Sequence, residues 1–256
     1  MRIATWNVNS LNARLPRVEE WLEYARPDIL CMQETKVADG AFPAMAFSAL
    51  GYESACHGEG RWNGVAVLSR VGLTDVATGF DGPADAQGAR LIAATCGGVR
   101  VHSVYVPNGR SVGSEHYEAK LAWLDELRAH LERTVAPSDP VAVCGDFNVA
   151  PDDRDVWDPA AFEGSTHVTE PERAEVRALE AWGLVDAFRL LYGDGGLFTW
   201  WDYRAGNFHK HMGLRIDLVL LTRPLAHKVE YALVDRNARK GKQPSDHAPV
   251  LVDVAG

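Results

Sequence analysis

Polar side chains stand where several apolar, β-branched runs of this sequence end. In one of them, the run from Val141 to Cys144 is followed by GDFN, which places the Asp146 carboxylate two residues before the Asn148 carboxamide. Asn7, Glu34 and Tyr105 likewise follow or close apolar runs, Asp217 lies within one, and Asp246 and His247 directly precede one. Oxygen ligands of this kind bind hard divalent cations, and carboxylates beside buried strands are costly unless they are paired or bound to metal. The sequence therefore predicts one shared site that binds a metal and positions a water.

Each of these residues also has a simpler interpretation. A single Asp or Asn after a strand is more often a turn former than a ligand, and Asn7 or Asp146 alone would favour that interpretation. Asp217 differs because it interrupts the run LRIDLVLL, which otherwise has the character of a fully buried strand. A buried carboxylate needs a partner, and His247 is the obvious one, although it could be an ordinary core or surface histidine. We prefer an imidazole oriented by Asp217.

Short β-branched runs dominate the elements that must position these residues. The predicted strands are Ile3 to Asn7, Asp28 to Gln33, Val65 to Ser69, Leu91 to Thr95, Val99 to Tyr105, Val141 to Cys144, Ile216 to Leu221, Val229 to Val234 and Val250 to Val254. The predicted helices are Pro16 to Tyr24, Glu115 to Thr134 and Glu172 to Trp182. The segment from Thr78 to Ala89 is rich in Gly, Pro and Asp, which predicts a long loop. Consecutive strands with few helices favour packed sheets flanked by helices over a simple alternating doubly wound sheet.

Length and composition indicate an ordinary globular protein. The chain has 256 residues, of which 46% are hydrophobic and 24% charged, and we expect one domain over residues 1–256. No apolar run is long enough to cross a bilayer and no signal peptide is visible, which predicts a cytoplasmic protein without a membrane partner. The cysteines are scattered without a metal-binding spacing.

The formal net charge of −9 argues against a partner held by bulk attraction to a polyanion. A nucleic-acid partner would therefore need a local basic face. The run RNARKGK supplies one candidate, with Arg239, Lys240 and Lys242 shortly before His247. Such a run is usually a solvated loop, but beside the predicted catalytic histidine a contact with a phosphate backbone is favoured.

Six motifs in order resemble one known family. They are PDILCMQETK from Pro27, YVPNG from Tyr105, GDFNVAP from Gly145, WWDYR from Trp200, GLRIDLVL from Gly213 and SDHAPV from Ser245. Together they resemble the exonuclease III family of abasic-site endonucleases, within the endonuclease/exonuclease/phosphatase superfamily, over essentially the whole chain. The resemblance implies an α/β fold like that of deoxyribonuclease I: a four-layer sandwich of two packed mixed β-sheets flanked by helices, with a metal site at one edge.

The resemblance also implies a role for each strand-end residue. Glu34 would be the principal ligand of Mg²⁺, with Mn²⁺ as an alternative ion, and Asn7 and Asp246 would lie next to the metal. Asp146 would orient or deprotonate the attacking water, with Asn148 as its hydrogen-bonding companion. Tyr105 and His247 would contact the scissile phosphate, and Asp217 would hold His247.

The substrate implied by the resemblance is double-stranded DNA with abasic sites or 3′ ends. The expected reactions are hydrolysis 5′ to an abasic site to leave a 3′ hydroxyl, 3′→5′ exonuclease activity and trimming of 3′ ends. The implied contacts are an apolar pocket at Trp200, Leu214 and Ile216, a side chain at Arg204 that can enter the duplex, and backbone contacts at Arg61, Trp62 and Arg110. Trp200 and Trp201 could instead be core aromatics, and for Trp201 we favour that alternative. A monomer is the default expectation.

Two other functions remain open at this point. Phosphatases of inositol lipids and other small phosphoesters share the GDFN and SDH elements, but PDILCMQETK, the tryptophan pocket and the basic loop argue against them. A binding module without catalysis would be expected to have lost ligands such as Glu34 or His247, and both are present.

Overall fold

The computed structural model describes residues 1–80 and 88–256, so most of the loop predicted between Thr78 and Ala89 lies outside the described residues. The nine predicted strands are all present, with ends shifted by at most two residues. The strands are β1 (Arg2–Asn7), β2 (Ile29–Gln33), β3 (Glu53–His57), β4 (Val65–Ser69), β5 (Thr74–Thr78), β6 (Leu91–Cys96), β7 (Val99–Tyr105), β8 (Val141–Asp146), β9 (Leu184–Asp186), β10 (Asp217–Thr222), β11 (Val229–Val234) and β12 (Val250–Val254).

The helices are α1 (Leu11–Ala25), α2 (Ala44–Ala49), α3 (Glu115–Thr134), α4 (Glu170–Trp182) and α5 (Arg223–Ala226). The prediction that Pro16 opens the first helix was wrong, because α1 begins five residues earlier. Leu11 is fully buried, and the backbone N–H groups of Ser10 and Leu11 donate to the carbonyls of Glu34 and Thr35, which fixes the start of the helix.

The strands form two six-stranded mixed sheets. The first has the order β11-β12-β1-β2-β4-β3 and the second β5-β6-β7-β8-β10-β9, with one parallel pair in each, β1 with β2 and β7 with β8. Side chains from both sheets share an apolar core, and separate apolar clusters lie between the first sheet and α1 and between the second sheet and α3 and α4. This arrangement is the predicted four-layer sandwich.

Strands β3, β5 and β9 were missed by sequence reasoning, and each lies at the edge of a sheet. Every residue of β5 is exposed, β3 has no fully buried residue, and β9 has only three residues. An edge strand buries too little to show the alternation of apolar and polar residues on which a strand prediction depends.

Strand register brings the predicted site residues to one edge of the sandwich. Asn7 lies opposite Gln33 in the parallel pair of the first sheet, and Asp146 lies opposite both Tyr105 and Asp217 in the second. His247 comes three residues before β12, which runs antiparallel to β1. The fold therefore gathers residues from distant parts of the chain. In the described part of the chain, no helix is long and apolar enough to cross a membrane.

Candidate active site

Three acidic or imidazole side chains converge at this edge. One potential ligand atom from each of Glu34, Asp146 and His247 lies within 4.8 Å of the other two. Asn7 bridges the two carboxylates, because its Nδ2 donates to Glu34 Oε1 at 2.8 Å and to Asp146 Oδ2 at 2.9 Å. Asn7 and Asp146 are buried, so the bond between them is shielded from water.

The GDFN segment reaches the site through a turn that the sequence did not reveal. The predicted strand ended at Cys144, and an extended chain beyond it would carry Asp146 and Asn148 on one face. Instead β8 continues to Asp146, and Asn148 has a left-handed φ of 51°. The Asn148 N–H donates to Asp146 Oδ1 at 2.9 Å, a turn closed by an Asp side chain. Phe147 does point into the protein, where it is fully buried.

Gly145 explains why β8 can continue so close to its parallel neighbour. A Cβ at this position would lie 1.9 Å from the carbonyl oxygen of Val104. Only glycine therefore lets Asp146 reach its place beside Tyr105 in the strand pair.

His247 and Asp217 form the predicted pair. The imidazole Nδ1 lies 2.8 Å from Asp217 Oδ2, and Nε2 lies 3.8 Å from Asp146 Oδ2. Burial alone would lower the pKa of His247, but Asp217 and Asp146 outweigh it and raise the pKa to about 10. The imidazole is therefore a cation at neutral pH, with Nδ1–H donated to Asp217.

The pKa values of Asp146 and Tyr105 are also shifted by burial and by their neighbours. Burial raises the pKa of Asp146 to about 7, and His247 opposes that shift. Burial and the nearby carboxylates of Glu34 and Asp146 raise the pKa of Tyr105 well above its usual range. Arg90 stacks over the Tyr105 ring, with its guanidinium carbon 4.6 Å from the ring centroid. Tyr105 therefore stays a neutral phenol that can donate a hydrogen bond.

Glu34 is held by residues that sequence reasoning missed. The Lys36 ammonium lies 2.9 Å from Glu34 Oε2 and donates to Asn9 Oδ1 at 2.7 Å. Asn9 Nδ2 in turn donates to Asp246 Oδ1 at 3.0 Å, and Trp200 Nε1 donates to Asp246 Oδ2 at 3.0 Å. Asp246 is thus linked to Glu34 through Asn9 and Lys36, and its role next to a metal stays a prediction.

The donor set fits a hard divalent cation. Glu34 and Asp146 offer carboxylate oxygens at one point, and burial of Asp146 disfavours its negative charge unless a cation is near. His247 is a geometric ligand candidate, but a protonated imidazole cannot bind a metal. We therefore assign the metal-binding capacity of the cluster to its oxygen donors.

An apolar cluster lies directly beside the site. Leu214 and Ile216 are buried together with Ala150 and Val156, and the partly exposed Trp200 packs against them. Trp200 pairs through isolated β-bridges with both Leu214 and His247, so the indole and the imidazole lie on neighbouring backbone positions. Trp201 is fully buried, which confirms the expectation that it is a core aromatic.

Cations predicted to contact DNA fall into two groups. Arg61, Arg110, Arg204, Lys240 and Lys242 are exposed, as is Trp62 at 64%. Arg204 pairs with Asp202, and the Arg61 guanidinium carbon lies 5.3 Å from the centroid of the Trp62 ring.

Arg239 is different, because it is only 6% exposed. Its guanidinium carbon lies 5.2 Å from the Tyr203 centroid and 4.9 Å from the Phe208 centroid, and Nη2 donates to the Trp201 carbonyl at 3.4 Å. The sequence expectation of a DNA contact at Arg239 is therefore corrected: aromatic stacking encloses the guanidinium and gives it a structural role.

Comparisons with known proteins agree with this site. The model of the Endonuclease/Exonuclease/phosphatase family matches residues 4–247. Exodeoxyribonuclease III of Haemophilus influenzae is 33% identical, and the match covers 99% of this chain and 99% of that protein.

Two solved structures are similar over the whole length. An AP endonuclease from Archaeoglobus fulgidus is 37% identical, with a TM-score of 0.97 and complete coverage (100%) of both chains. The 3′ phosphatase NExo from Neisseria, in a structure with a product DNA hairpin, is 38% identical with a TM-score of 0.96 and the same 100% coverage of both chains. The chain therefore belongs to the endonuclease/exonuclease/phosphatase family and, within it, to the exodeoxyribonuclease III group of nucleases.

Proposed function

We propose that this protein is a Mg²⁺-dependent DNA repair nuclease that hydrolyses the phosphodiester 5′ to abasic sites and also trims 3′ ends. The observation that carries the proposal is the convergence of Glu34, Asp146 and a His247 cation held by Asp217. The related AP endonuclease and 3′ phosphatase support DNA as the substrate. We keep one domain over residues 1–256, a monomer and a cytoplasmic location as predictions.

The site residues can hydrolyse the phosphodiester in a single displacement at phosphorus. Asp146 accepts a proton from water while the water oxygen forms a bond to phosphorus and the bond to the 3′ oxygen breaks. The released 3′ oxygen takes a proton from solvent and becomes the 3′ hydroxyl. His247 and Tyr105 donate hydrogen bonds to the nonbridging oxygens, where negative charge develops, and Asn148 adds a carboxamide donor. Glu34, with Asn7 and Asp246 beside it, would hold Mg²⁺ or Mn²⁺, which supplies positive charge to the phosphate and the leaving oxygen.

The pH dependence of cleavage follows from the His247 cation. Because the pKa of His247 is raised to about 10, the cation is present at neutral pH and the rate falls as the pH rises through that value. The substitution Asp217→Asn removes the strongest group that raises this pKa, so the alkaline limb should move down by about 1 to 3 pH units. The measurement is kcat against pH for both proteins, and an unchanged alkaline limb in Asp217→Asn would contradict the role of the pair.

The apolar cluster beside His247 is proposed to receive the abasic sugar, which has no base and can enter a small pocket when flipped. Trp200→Ala should therefore reduce cleavage at abasic sites by about 10-fold or more relative to trimming of ordinary 3′ ends. Trp200→Phe is the matched control, because it loses the bond to Asp246 but keeps an apolar ring. Equal losses on both substrates in Trp200→Ala would instead indicate a core role for the indole.

Hydrolysis of inositol lipids or other small phosphoesters is the alternative on the same fold. The two functions differ in substrate, so we would compare initial rates on an abasic duplex, a duplex with a 3′ phosphate and a soluble inositol phosphate at equal concentration. The proposed function predicts DNA rates at least about 100-fold higher, as expected for a site that uses contacts along a duplex. A faster rate on the inositol phosphate would support the alternative.

A further inference from the structure

A buried ion pair lies beneath the GDFN turn and belongs to none of the groups discussed so far. Lys120 on α3 and Glu172 on α4 are both fully buried, with the ammonium 2.5 Å from Glu172 Oε1. Sequence reasoning placed neither residue in the site. Replacing a buried ion pair by neutral residues is often neutral or stabilising, so overall stability alone does not explain its presence.

The Lys120 ammonium instead contacts three loops that meet at the site, those of Asn108, Asn148 and Thr166. Nζ donates to the Asn148 carbonyl at 2.6 Å, and it lies 3.4 Å from both the Asn108 carbonyl and Thr166 Oγ1. Glu172 Oε1 also accepts from Thr166 Oγ1 at 2.6 Å and from the His167 N–H at 2.9 Å. One ammonium and one carboxylate thus tie the backbone of two asparagines to a third loop.

The carboxamides of the two asparagines are hydrogen-bonded to each other, and that of Asn148 also donates to the backbone. Asn108 Nδ2 donates to Asn148 Oδ1 at 3.2 Å, and Asn148 Nδ2 donates to the Val106 carbonyl at 2.9 Å. Asn148 has the left-handed conformation described above, which asparagine adopts more readily than most residues and which hydrogen bonds to neighbouring groups can support. The Lys120 bond to its carbonyl is one such support.

Packing around Lys120 leaves the loops little freedom. A Cβ on Gly109 would lie 3.0 Å from Lys120 Cδ and 2.9 Å from Thr166 Oγ1, and Gly109 has a φ of +85° that favours glycine. The Lys120 side chain therefore passes directly under the loop that carries Asn108.

We propose that Lys120 and Glu172 are positioning residues that hold the Asn148 carboxamide, together with the Asn108 side chain bonded to it, in place for the scissile phosphate. This inference depends on the proposed phosphodiester hydrolysis, because only then does the placement of Asn148 affect a rate. Removal of a residue that holds a functional side chain in place typically lowers activity by about 10- to 100-fold.

The test uses the double variant Lys120→Met/Glu172→Gln. It removes both charges but keeps side chains of similar size and an oxygen at residue 172 for Thr166 and His167. The matched control is Leu124→Ala, which disturbs apolar packing one turn along α3 and leaves both members of the ion pair in place. On an abasic duplex, the double variant should lose about 10- to 100-fold in kcat with KM changed by less than about threefold. Leu124→Ala should lower the melting temperature and leave kcat within about twofold.

A double-mutant cycle separates positioning from a general structural effect. If Lys120 acts through Asn148, adding the double variant to Asn148→Ala should lower kcat by less than about twofold further. If Asn148→Ala and the double variant lower kcat by factors that multiply when combined, the inference is overturned. A folded double variant with kcat within about twofold of wild type would also overturn it.

A second readout does not depend on cleavage. The side-chain amide resonances of Asn148, assigned by their loss in Asn148→Ala, should shift in the ¹⁵N spectrum of the double variant and stay in place in Leu124→Ala. Unchanged resonances would overturn the inference whether or not the protein cuts DNA. If the resonances shift in the double variant but the wild-type protein cuts no DNA, the proposed function is refuted and only the structural link between the ion pair and Asn148 is confirmed.

Discussion

Asp146→Ala should lower kcat on an abasic duplex by about 10³- to 10⁴-fold, the range expected when a general base is lost. The carboxylate is the group in the cluster that contacts Asn7, the Asn148 N–H and the His247 ring together. Its removal takes away the proton acceptor for water and one oxygen available to a metal. The measurement is single-turnover cleavage at saturating enzyme, which isolates the chemical step from binding.

The same substitution should leave the protein folded. A folded-state pKa raised from 3.8 to about 7 means that the ionised Asp146 carboxylate disfavours the folded state as the pH rises from about 4 through about 7. Removing it should therefore keep the melting temperature at pH 8 within a few degrees of wild type. Asp153→Ala is the control. Asp153 is an exposed residue of the loop that follows GDFN, and its Oδ1 lies 2.8 Å from Arg173 Nη1. Near-normal cleavage by folded Asp146→Ala would end the proposed mechanism.

His247→Gln should lower kcat by about 10²- to 10³-fold, the usual cost of removing one preorganised donor at a developing charge. Glutamine keeps a neutral donor but loses the positive charge. Substrate affinity should fall less than kcat, because the charge on the nonbridging oxygens is largest in the transition state.

The melting temperatures of two variants provide the control for His247→Gln. His247→Gln leaves the buried Asp217 carboxylate without its imidazole partner, and Asp217 Oδ1 has no hydrogen-bond partner among the described residues. The single variant should therefore melt at a lower temperature, and His247→Gln/Asp217→Asn should recover much of that loss. Activity should stay low in both variants. Recovery of kcat together with the melting temperature would show that His247 acts only through folding.

Much of the site could be predicted because it lies at the ends of strongly apolar strands. Asp217 was recognisable as a buried carboxylate, and the structure gives it the predicted partner in His247. The order of the strands brings these residues together. The resemblance to a family implied the four-layer sandwich with a metal site at one edge, but no strand order was predicted. Edge strands such as β5 expose every residue and carry no comparable signal.

The remaining parts of the site depend on tertiary contacts. Lys120 lies in a helix rich in charged residues, where a lysine normally faces water. Its burial depends on Glu172, which is 52 residues away along the chain. Arg239 gave the opposite error, because a basic run is usually solvated but Tyr203 and Phe208 enclose this guanidinium. The turn at Asn148 could not be predicted either, since asparagine is found in both extended and left-handed backbone.

The decisive measurement is cleavage of a duplex with one synthetic abasic site, with Mg²⁺ or with a chelator, and with the product ends resolved. An undamaged duplex of the same sequence is the control. Metal-dependent cutting immediately 5′ of the lesion, leaving a 3′ hydroxyl, is the predicted result. Cutting that persists in chelator, or no cutting of DNA while inositol phosphates are hydrolysed, would contradict a metal-dependent DNA repair nuclease.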